Sequence, residues 1–534
     1  MTPRQLPDRP NLEQLKNQAK SLLRAAQAQD SSALERFAAL PAFAGRSPEE
    51  LAAIGLALHD AQSVIAREHG FDSWNAMRDE VEARTLSFEA AVDEFIRCAT
   101  GGARGRAERL LALHPGIASA SIYTALVLGD AASVDARLRS QPELATQSGG
   151  PQNWEPLLYA CHTCMHRGAA SSPGRVEGLV TIARHLCSLG ANPNAEYHWN
   201  WHPELPRTAL WASVCEIAHL PLAEVLLEAG ANPTDGVTSQ ITSGGGNIPA
   251  LELLHRFGLD VNGIPGGVPP LVYGMTWSTT PAGARWLVEH GADPNLAWGP
   301  DGEAPLHVAA RRWDVPMVEL LVRHGADPIR PRADGMTPHT LAELHGNHDI
   351  AEWLVAHGAN DELSEIERFV AACARADRAA ADAMLSARPT LRSELRREHH
   401  LMMQRPAESG DAAVLETMLA CGFDPNVGDK DHVTALHRAS MAGYPAAVRV
   451  LLKFGADVDA KDGMFSATPL IWAVEGRGHA QPDSNHVEVA RVLIAAGSSL
   501  EWIPPQGAPG PERTLEGLIE LRRAAASPDS AVTK

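Results

Sequence analysis

Residues 304–328 read APLHVAARRWDVPMVELLVRHGADP, and this stretch decides the fold. Its opening phrase returns in altered form at 155–157, 208–210, 337–339, 434–437 and 468–470. Its closing phrase places two apolar residues and two spacers before a glycine, a small residue and Asn or Asp. The glycines at positions 258, 291, 325 and 358 follow one another at intervals of 33, 34 and 33 residues. A fixed period of this length indicates a repeat array whose thin layers pack on their neighbours.

The two phrases also keep a fixed distance from each other. The proline position and the glycine are 20 or 21 residues apart in the five units that begin at Ala209, Pro270, Pro305, Pro338 and Ala435. A threonine before this position suits a helix N-cap, and proline suits the first helical residue. The glycine suits a left-handed helix end. Each unit is therefore predicted to hold two helices, followed by a turn such as Asp334-Gly335 or Asp462-Gly463.

The period and the Thr-Pro-Leu-His-x-Ala phrase together resemble the ankyrin repeat. The resemblance implies an all-α solenoid of helix-turn-helix units with outward β-fingers. It also gives His307 and His437 a hydrogen-bonding role between repeats. The fold alone does not fix a function.

Degenerate units extend the predicted solenoid to about twelve repeats over residues 86–505. Helix pairs are predicted at 95–115 and 123–142. A third pair, at 369–389, is predicted because Gly358 and Gly422 are 64 residues apart, close to two periods.

The two ends are predicted to be helical. Residues 1–85 show helical apolar spacing over 12–37 and a second helix over 51–69. Residues 60–74, DAQSVIAREHGFDSW, resemble the N-terminal segment found before some bacterial ankyrin arrays. This region is interpreted as a cap for the first repeat, with independent partner binding as the alternative. Residues 506–534 are predicted to hold a last helix, over 512–525, and a disordered tail.

Composition restricts the class of partner and the compartment. The net charge of −19 argues against nucleic acid. Seven scattered cysteines suggest no disulfide framework and indicate a reducing cytoplasm. Signal-peptide character is absent from the start of the printed sequence, and no apolar run reaches the roughly 18–20 residues that span a bilayer. Neither a membrane nor a nucleic acid is therefore expected as a partner.

An enlarged finger between Gly190 and Ala209 is the first candidate binding site. These residues are 19 apart, whereas other units take 12 to 14. Exposed tryptophan is the commonest type of binding hot spot, which favours partner contact. The alternative is that the two tryptophans, Trp199 and Trp201, fold back on the neighbouring unit. The partner-binding candidates in this finger are Tyr197, His198, Trp199, Trp201 and His202.

Four further partner-binding candidates lie outside this finger. Trp298 is one of them. Arg311, Arg312 and Trp313 lie at the C-terminal end of the first helix of a repeat. There they could bind an acidic partner, with Arg stacked on Trp. The alternative for this triplet is an ordinary solvated helix end.

Two irregular segments raise other possibilities. Residues 161–166, CHTCMH, carry zinc-type ligands, but a second cysteine pair at finger spacing is missing. A buried core cysteine followed by a loop is the favoured interpretation. Residues 244–246 are three glycines in a short unit, which is predicted to pack irregularly. They lack the lysine of a phosphate-binding loop.

Sequence motifs of hydrolases, kinases and nucleotide-binding enzymes are not found. We therefore predict a protein that is not an enzyme and uses no cofactor or metal. The predicted function is a cytoplasmic scaffold or adaptor that binds protein through its concave groove and fingers. Two alternatives remain: a regulatory module that sequesters one partner, and a small-molecule or metal-binding protein centred on residues 161–202.

Overall fold

The computed structural model describes most of the chain. The described residues are 4–7, 10–40, 43, 45–53, 55–166, 173–199, 202–263, 267–278, 280–479 and 483–499, with 502, 514, 517, 518 and 521. Contacts divide the chain into two compact units, residues 1–298 and 299–534. Most of the predicted C-terminal helix and tail lies outside the described residues.

Unit 1 begins with five helices that form a hydrophobic core of their own. Asn11, Asp30 and Ser73 each cap a helix by accepting a hydrogen bond from a backbone N–H three residues later. Apolar side chains from all five helices meet in the core, including Leu15, Phe37, Leu51, Ile65 and Met77. The helices are α1 Leu12–Gln27, α2 Ser31–Ala38, α3 Pro48–Ala53, α4 Leu58–Glu68 and α5 Trp74–Thr85.

Helix pairs and one β-finger make up the rest of unit 1. First helices of successive pairs pack on one another, and second helices form another layer behind them. The elements are α6 Phe88–Thr100, α7 Arg104–Leu113, α8 Ile122–Leu128, α9 Ala131–Ser140, α10 Pro156–Cys161, α11 Pro173–Ser188, β1 Glu196–Trp199, β2 His202–Thr208, α12 Ala209–Trp211, α13 Leu220–Glu228, α14 Thr238–Gly244, α15 Ile248–Arg256, α16 Pro270–Trp277 and α17 Ala282–Glu289. A π-helical turn, Ala212–Glu216, extends α12.

A half-buried arginine joins the N-terminal helices to the first pair. Arg106, on α7, lies 3.3 Å from Asp79 and 3.3 Å from Glu82, both on α5. Its Nε donates to Glu94 of α6 at 2.9 Å. Because these groups are partly shielded from water, the ion pairs hold α5 against the first pair more firmly than exposed pairs would.

The prediction of irregular packing around Gly244–Gly246 is wrong. These glycines connect two regular helices, α14 and α15, and α14 packs closely on α16. A Cβ on Gly283 would lie 2.0 Å from the carbonyl oxygen of Ser243, so the backbones approach at a distance that only glycine allows. Gly283 therefore lets α17 of the next repeat pack tightly against the end of α14.

Unit 2 continues the same two-layer pattern. The first helices α18, α20 and α22 pack in sequence, as do α26, α28 and α30. The elements are α18 Pro305–Arg312, α19 Val315–Arg323, α20 Pro338–Leu344, α21 His348–Ala356, α22 Glu365–Ala374, α23 Arg378–Ala387, α24 Leu391–Glu394, α25 Arg397–Leu401, α26 Gln404–Ser409, α27 Ala412–Ala420, α28 Ala435–Ala442, α29 Pro445–Lys453, α30 Pro469–Gly476 and α31 His486–Ala495. The pair α22–α23 occupies the position of the unit predicted at 369–389.

The sequence signals of the repeat have the expected geometry. Thr337 accepts a hydrogen bond from the N–H of Thr340 at 3.2 Å, and Pro338 follows it as the first helical residue. The glycines that close the second helices are left-handed, with φ of +90° at Gly291 and +98° at Gly325.

Buried histidines connect successive units. His437 accepts the N–H of Thr434 through Nδ1 at 3.2 Å, and its Nε2 bonds the carbonyl oxygen of Ala467 in the next unit at 3.1 Å. His307 does the same with Ala304 and Arg330, at 3.1 and 2.9 Å. Burial lowers the pKa of both imidazoles. The inter-repeat role implied by the resemblance is thus present in the structure.

Candidate protein-binding surfaces

The enlarged finger is an antiparallel hairpin formed by β1 and β2. Glu196 pairs with Thr208 and Tyr197 with Arg207, and the register shifts after His198, so that Trp199 lies opposite His202. Between these pairs, residues 203–205 of β2 have no partner on β1, which accounts for the extra length near the tip.

The candidate residues of the finger have different environments. The half-buried Tyr197 stacks on Trp154 with ring centroids 4.2 Å apart, and it meets the edge of His162 at 5.0 Å. The exposed His198 lies 3.6 Å from Glu196. Trp201 and the side chains of Trp199 and His202 lie outside the described residues. Tyr197 thus packs against Trp154 of the preceding repeat, while the fold-back alternative for the two tryptophans stays a prediction.

Aromatic and polar groups around Tyr197 form a tightly packed cluster. His162 Nδ1 bonds Glu216 at 3.1 Å, and its ring stacks on Trp211 at 6.1 Å. Arg207 covers the other part of Trp211, with its guanidinium carbon 3.9 Å from the ring centroid. This cluster could not be recognised from the sequence, because its members come from three separate segments.

The side chains of residues 161–166 separate instead of converging on one point. The buried Cys161 bonds Ser213, and burial raises its pKa to about 12. Cys164 donates to the carbonyl oxygen of Cys98 at 3.6 Å. Burial, with the charge of Arg175, lowers the pKa of His166 to about 4. Within the described part of the chain, no group of three or more His, Cys, Asp or Glu side chains is placed to hold a metal ion.

Two tryptophans form an exposed aromatic surface at the end of unit 1. Trp277 ends the first helix α16 and is 52% exposed, and Trp298 follows α17 and is 39% exposed. Their ring centroids are 6.4 Å apart at an angle of 67°, the edge-to-face arrangement that aromatic pairs prefer. Tyr273 supports Trp277 from one turn earlier, at 4.7 Å. We call Tyr273, Trp277 and Trp298 the tryptophan surface.

The sequence singled out Trp298 but missed Trp277. Trp277 lies seven residues after Pro270, and Arg312 lies seven residues after Pro305. The two residues thus occupy the same repeat position, the last turn of a first helix. That shared position is the signal that could have identified Trp277.

Arginines gather where α18 ends in unit 2. Arg311 donates to Glu303 at 2.8 Å, while Arg312 is exposed and the half-buried Trp313 follows as the C-cap. The guanidinium of Arg405, on α26, donates to the carbonyl oxygen of Arg311. We call Arg311, Arg312 and Arg405 the arginine surface. The sequence indicated two of its members and missed Arg405, which lies 94 positions from Arg311.

The environment of the arginine surface disfavours further positive charge. Desolvation lowers the pKa of Arg312, attraction from Glu408 partly opposes this, and repulsion from Arg311 and Arg438 adds to it. Desolvation also lowers the pKa of Arg405, with repulsion from Arg312 and Arg311. Burial beside these arginines lowers the pKa of the half-buried His345 to about 3, which keeps its ring neutral near pH 7.

Comparison with known proteins assigns the repeats. Residues 280–364 and 403–501 match the family model described as ankyrin repeats, in three copies. The chain contains ankyrin repeats. The match covers α17–α21 and α26–α31, so most of the regular part of unit 2 is included.

The curated relatives share only short segments with this chain. It is 31% identical over 109 residues to a glycerophosphocholine phosphodiesterase of Schizosaccharomyces pombe, which is 20% of this chain and 9% of that protein. It is 44% identical over 69 residues to the human ARF GTPase-activating protein GIT1, or 13% and 9% of the two chains. The chain thus spans 9% of the length of each of these relatives.

A solved structure is also similar. The crystal structure of the human ASB11 ankyrin repeat domain corresponds to 46% of this chain and 100% of that chain, at 20% identity and a TM-score of 0.33. Across the described residues, none of the helices has both the length and the apolar character required to cross a bilayer.

Proposed function

We propose that this protein is an adaptor that binds another protein through the ends of its first helices and its long finger. Ankyrin repeats generally mediate protein–protein interaction. A stack of repeats offers an extended, preformed surface, which lowers the ordering cost of association. About twelve units, an N-terminal cap and a cytoplasmic location belong to this proposal. The seven free cysteines support a reducing compartment.

The tryptophan surface is the observation that carries the proposal. Trp277 and Trp298 leave large apolar areas in water. Tryptophan combines a large contact area with few rotatable bonds, and it is enriched among residues that dominate binding energy. Tyr273 fixes Trp277 in position, so little conformational freedom would be lost when a partner covers the pair.

The names of the relatives give no reason to propose a catalytic activity. One is a phosphodiesterase and another a GTPase-activating protein, and this chain shares 9% of each. Segments this short carry neither named activity over to this chain.

The test is affinity capture followed by binding measurements with purified proteins. The full-length chain and a Trp277→Ala, Trp298→Ala variant would each capture partners from lysate of the native host. Phe88→Ala is the matched control, because Phe88 is 51% exposed and also lies in unit 1. Each captured protein would then be purified and titrated against all three chains.

We expect a partner that binds the wild type and the control equally and the double variant at least tenfold more weakly, as for loss of a hot spot. Circular dichroism must show that the variant is folded. A partner that binds all three chains equally would remove the tryptophan surface from the proposal. The absence of any partner that rebinds after purification would contradict the adaptor function.

A further inference from the structure

Side chains from later units satisfy the C-terminal end of α18. The last carbonyl groups of a helix lack partners within it. Asn347, between α20 and α21, donates to the carbonyl oxygen of Ala310 at 2.8 Å. Arg405, from α26, donates to the carbonyl oxygen of Arg311. The side chain of Arg405 is therefore fixed at one point, and this hydrogen bond uses one of its five N–H donors.

The guanidinium groups of Arg311 and Arg405 are only partly neutralised. Glu303 pairs with Arg311 at 2.8 Å, but it also serves Arg332 at 3.3 Å. Among the described residues, Arg405 forms no ion pair, and the Nε of Arg311 is buried without a hydrogen-bond partner. The donors that an added acceptor could reach are those of Arg405, which lines an open cavity.

A polar cavity lies directly beside Arg405. It has a volume of 190 Å³, and its polar lining includes His345, Asn347, Arg405, Ser409 and Asp411. Asp411 already accepts the N–H of Val414 at 3.1 Å as the N-cap of α27, so part of its charge is compensated. Glu408 is the other nearby carboxylate. Pockets for whole small molecules start at roughly 300 Å³, so this cavity suits a single side chain.

We propose that the arginine surface binds an acidic side chain, Asp or Glu, of a protein partner. The carboxylate would accept hydrogen bonds from the remaining donors of Arg405 and from Arg312, in the planar arrangement that guanidinium groups favour. Its charge would offset the repulsion among three arginines. This inference rests on the proposed adaptor function and adds the chemistry of the partner.

An acidic peptide fits this site better than a nucleic acid does. The chain carries a net charge of −19, so a long polyanion would meet repulsion outside the patch. A peptide with one or two carboxylates needs only the local positive field. The site would then raise the association rate and select partners with an acidic residue at one position.

The experiment measures fluorescence anisotropy of a labelled peptide of alternating Glu and Gly against the full chain. A peptide of alternating Gln and Gly has the same length and no charge. The variants are Arg405→Gln and Arg312→Gln, the second of which alters an exposed residue and keeps the cap on α18. Arg323→Gln is the control, because Arg323 lies on the outer helix α19, is 65% exposed and pairs with Glu319.

We expect the glutamate peptide to bind more tightly than the glutamine peptide, and its affinity to fall as sodium chloride rises. Arg405→Gln and Arg312→Gln should each weaken it by about tenfold, the usual value for a charge-assisted hydrogen bond. Arg323→Gln should leave it unchanged. Equal binding of the two peptides, or equal effects of all three variants, would overturn the inference.

Inorganic phosphate is the competing probe for a free anion. Phosphate that displaces the glutamate peptide no better than sodium chloride of the same ionic strength would support a peptide site. Binding of phosphate without binding of the glutamate peptide would overturn it. If the acidic-peptide site is overturned, the adaptor function still stands provided that the Trp277→Ala, Trp298→Ala variant binds a purified partner more weakly than the wild type. The two proposals can therefore fail independently.

Discussion

The first helix of each repeat differs at its two ends in how strongly the fold restricts the residue type. Near the start, the position two residues after the proline site holds His307, Thr340 and His437, all buried and hydrogen-bonded to the helix start. Near the end, the position seven residues after it holds Trp277, Arg312 and His345, which are exposed or half-buried. At the start, the side chain at this position accepts the backbone N–H itself, which restricts the residue type. At the end of α18, the carbonyl groups are satisfied by Asn347 and Arg405 from later repeats, so the side chain at position seven is not needed for that purpose.

This contrast indicates where function can vary on a repeat scaffold. A residue that hydrogen-bonds from one repeat to the next cannot be replaced without loss of folding free energy. Its type is therefore set by the fold and not by the binding partner. A residue at the free end can be aromatic, cationic or neutral at small cost. The tryptophan surface and the arginine surface both lie at such ends, one in each unit.

The largest expected effect is at the start of a helix. His437→Ala removes a side chain that is fully buried and leaves the N–H of Thr434 and the carbonyl of Ala467 without partners. We expect a loss of about 3 kcal/mol in the free energy of unfolding, from unsatisfied groups and a cavity. Urea unfolding monitored by circular dichroism measures it.

His324→Ala is the control for this change, because His324 is exposed at the end of α19. It should alter the free energy of unfolding by less than about 0.5 kcal/mol. Equal losses for the two variants would show that the buried histidine does not connect the units.

The repeat itself could be predicted because its chemistry is local. Thr337, Pro338 and Gly325 act on backbone within a few positions, so a spacing rule identifies them. The cluster around Tyr197 and the contact of Arg405 with α18 depend on which segments meet in three dimensions. No local pattern encodes a distance of 94 positions, so the sequence indicated only one side of the arginine surface.

The start of α25 was not recognised in the sequence, although a histidine accepts a backbone N–H there as in the regular repeats. His399 accepts the N–H of Arg396 at 3.1 Å, as His307 accepts that of Ala304. The preceding residues are Arg397 and Glu398 instead of Pro and Leu, so the phrase was not recognisable. The histidine keeps its role because the backbone N–H needs an acceptor whatever residues lie between.

A smaller effect is expected from His345, at the end of α20. Its pKa of about 3 lies below the ordinary 6.5, so the native and unfolded forms are both neutral above pH 6.5. Below that pH the unfolded chain binds a proton that the native ring refuses, and stability falls until about pH 3. The contribution at pH 5 is about 1 kcal/mol, after a discount for the half-buried ring.

Between pH 7 and pH 5, the free energy of unfolding of His345→Gln should therefore fall by about 1 kcal/mol less than that of the wild type. Unfolding by urea at both pH values measures it, with His324→Gln as the control that keeps the wild-type dependence. An unchanged pH dependence in His345→Gln would mean that water reaches the ring freely, and that the arginines do not act on it.

The smallest effect is expected from Arg312→Gln. A cation near the end of a helix gains roughly 0.3–1 kcal/mol from the helix dipole. Desolvation and repulsion from Arg311 and Arg438 oppose this gain, so the free energy of unfolding should change by less than about 0.5 kcal/mol. Urea unfolding beside Arg323→Gln measures it. A loss close to that of His437→Ala would make Arg312 part of the scaffold and remove the contrast between helix starts and ends. A negligible change would leave the exposed arginine without a folding role, and the binding of an acidic partner would then be the reason for placing three like charges together.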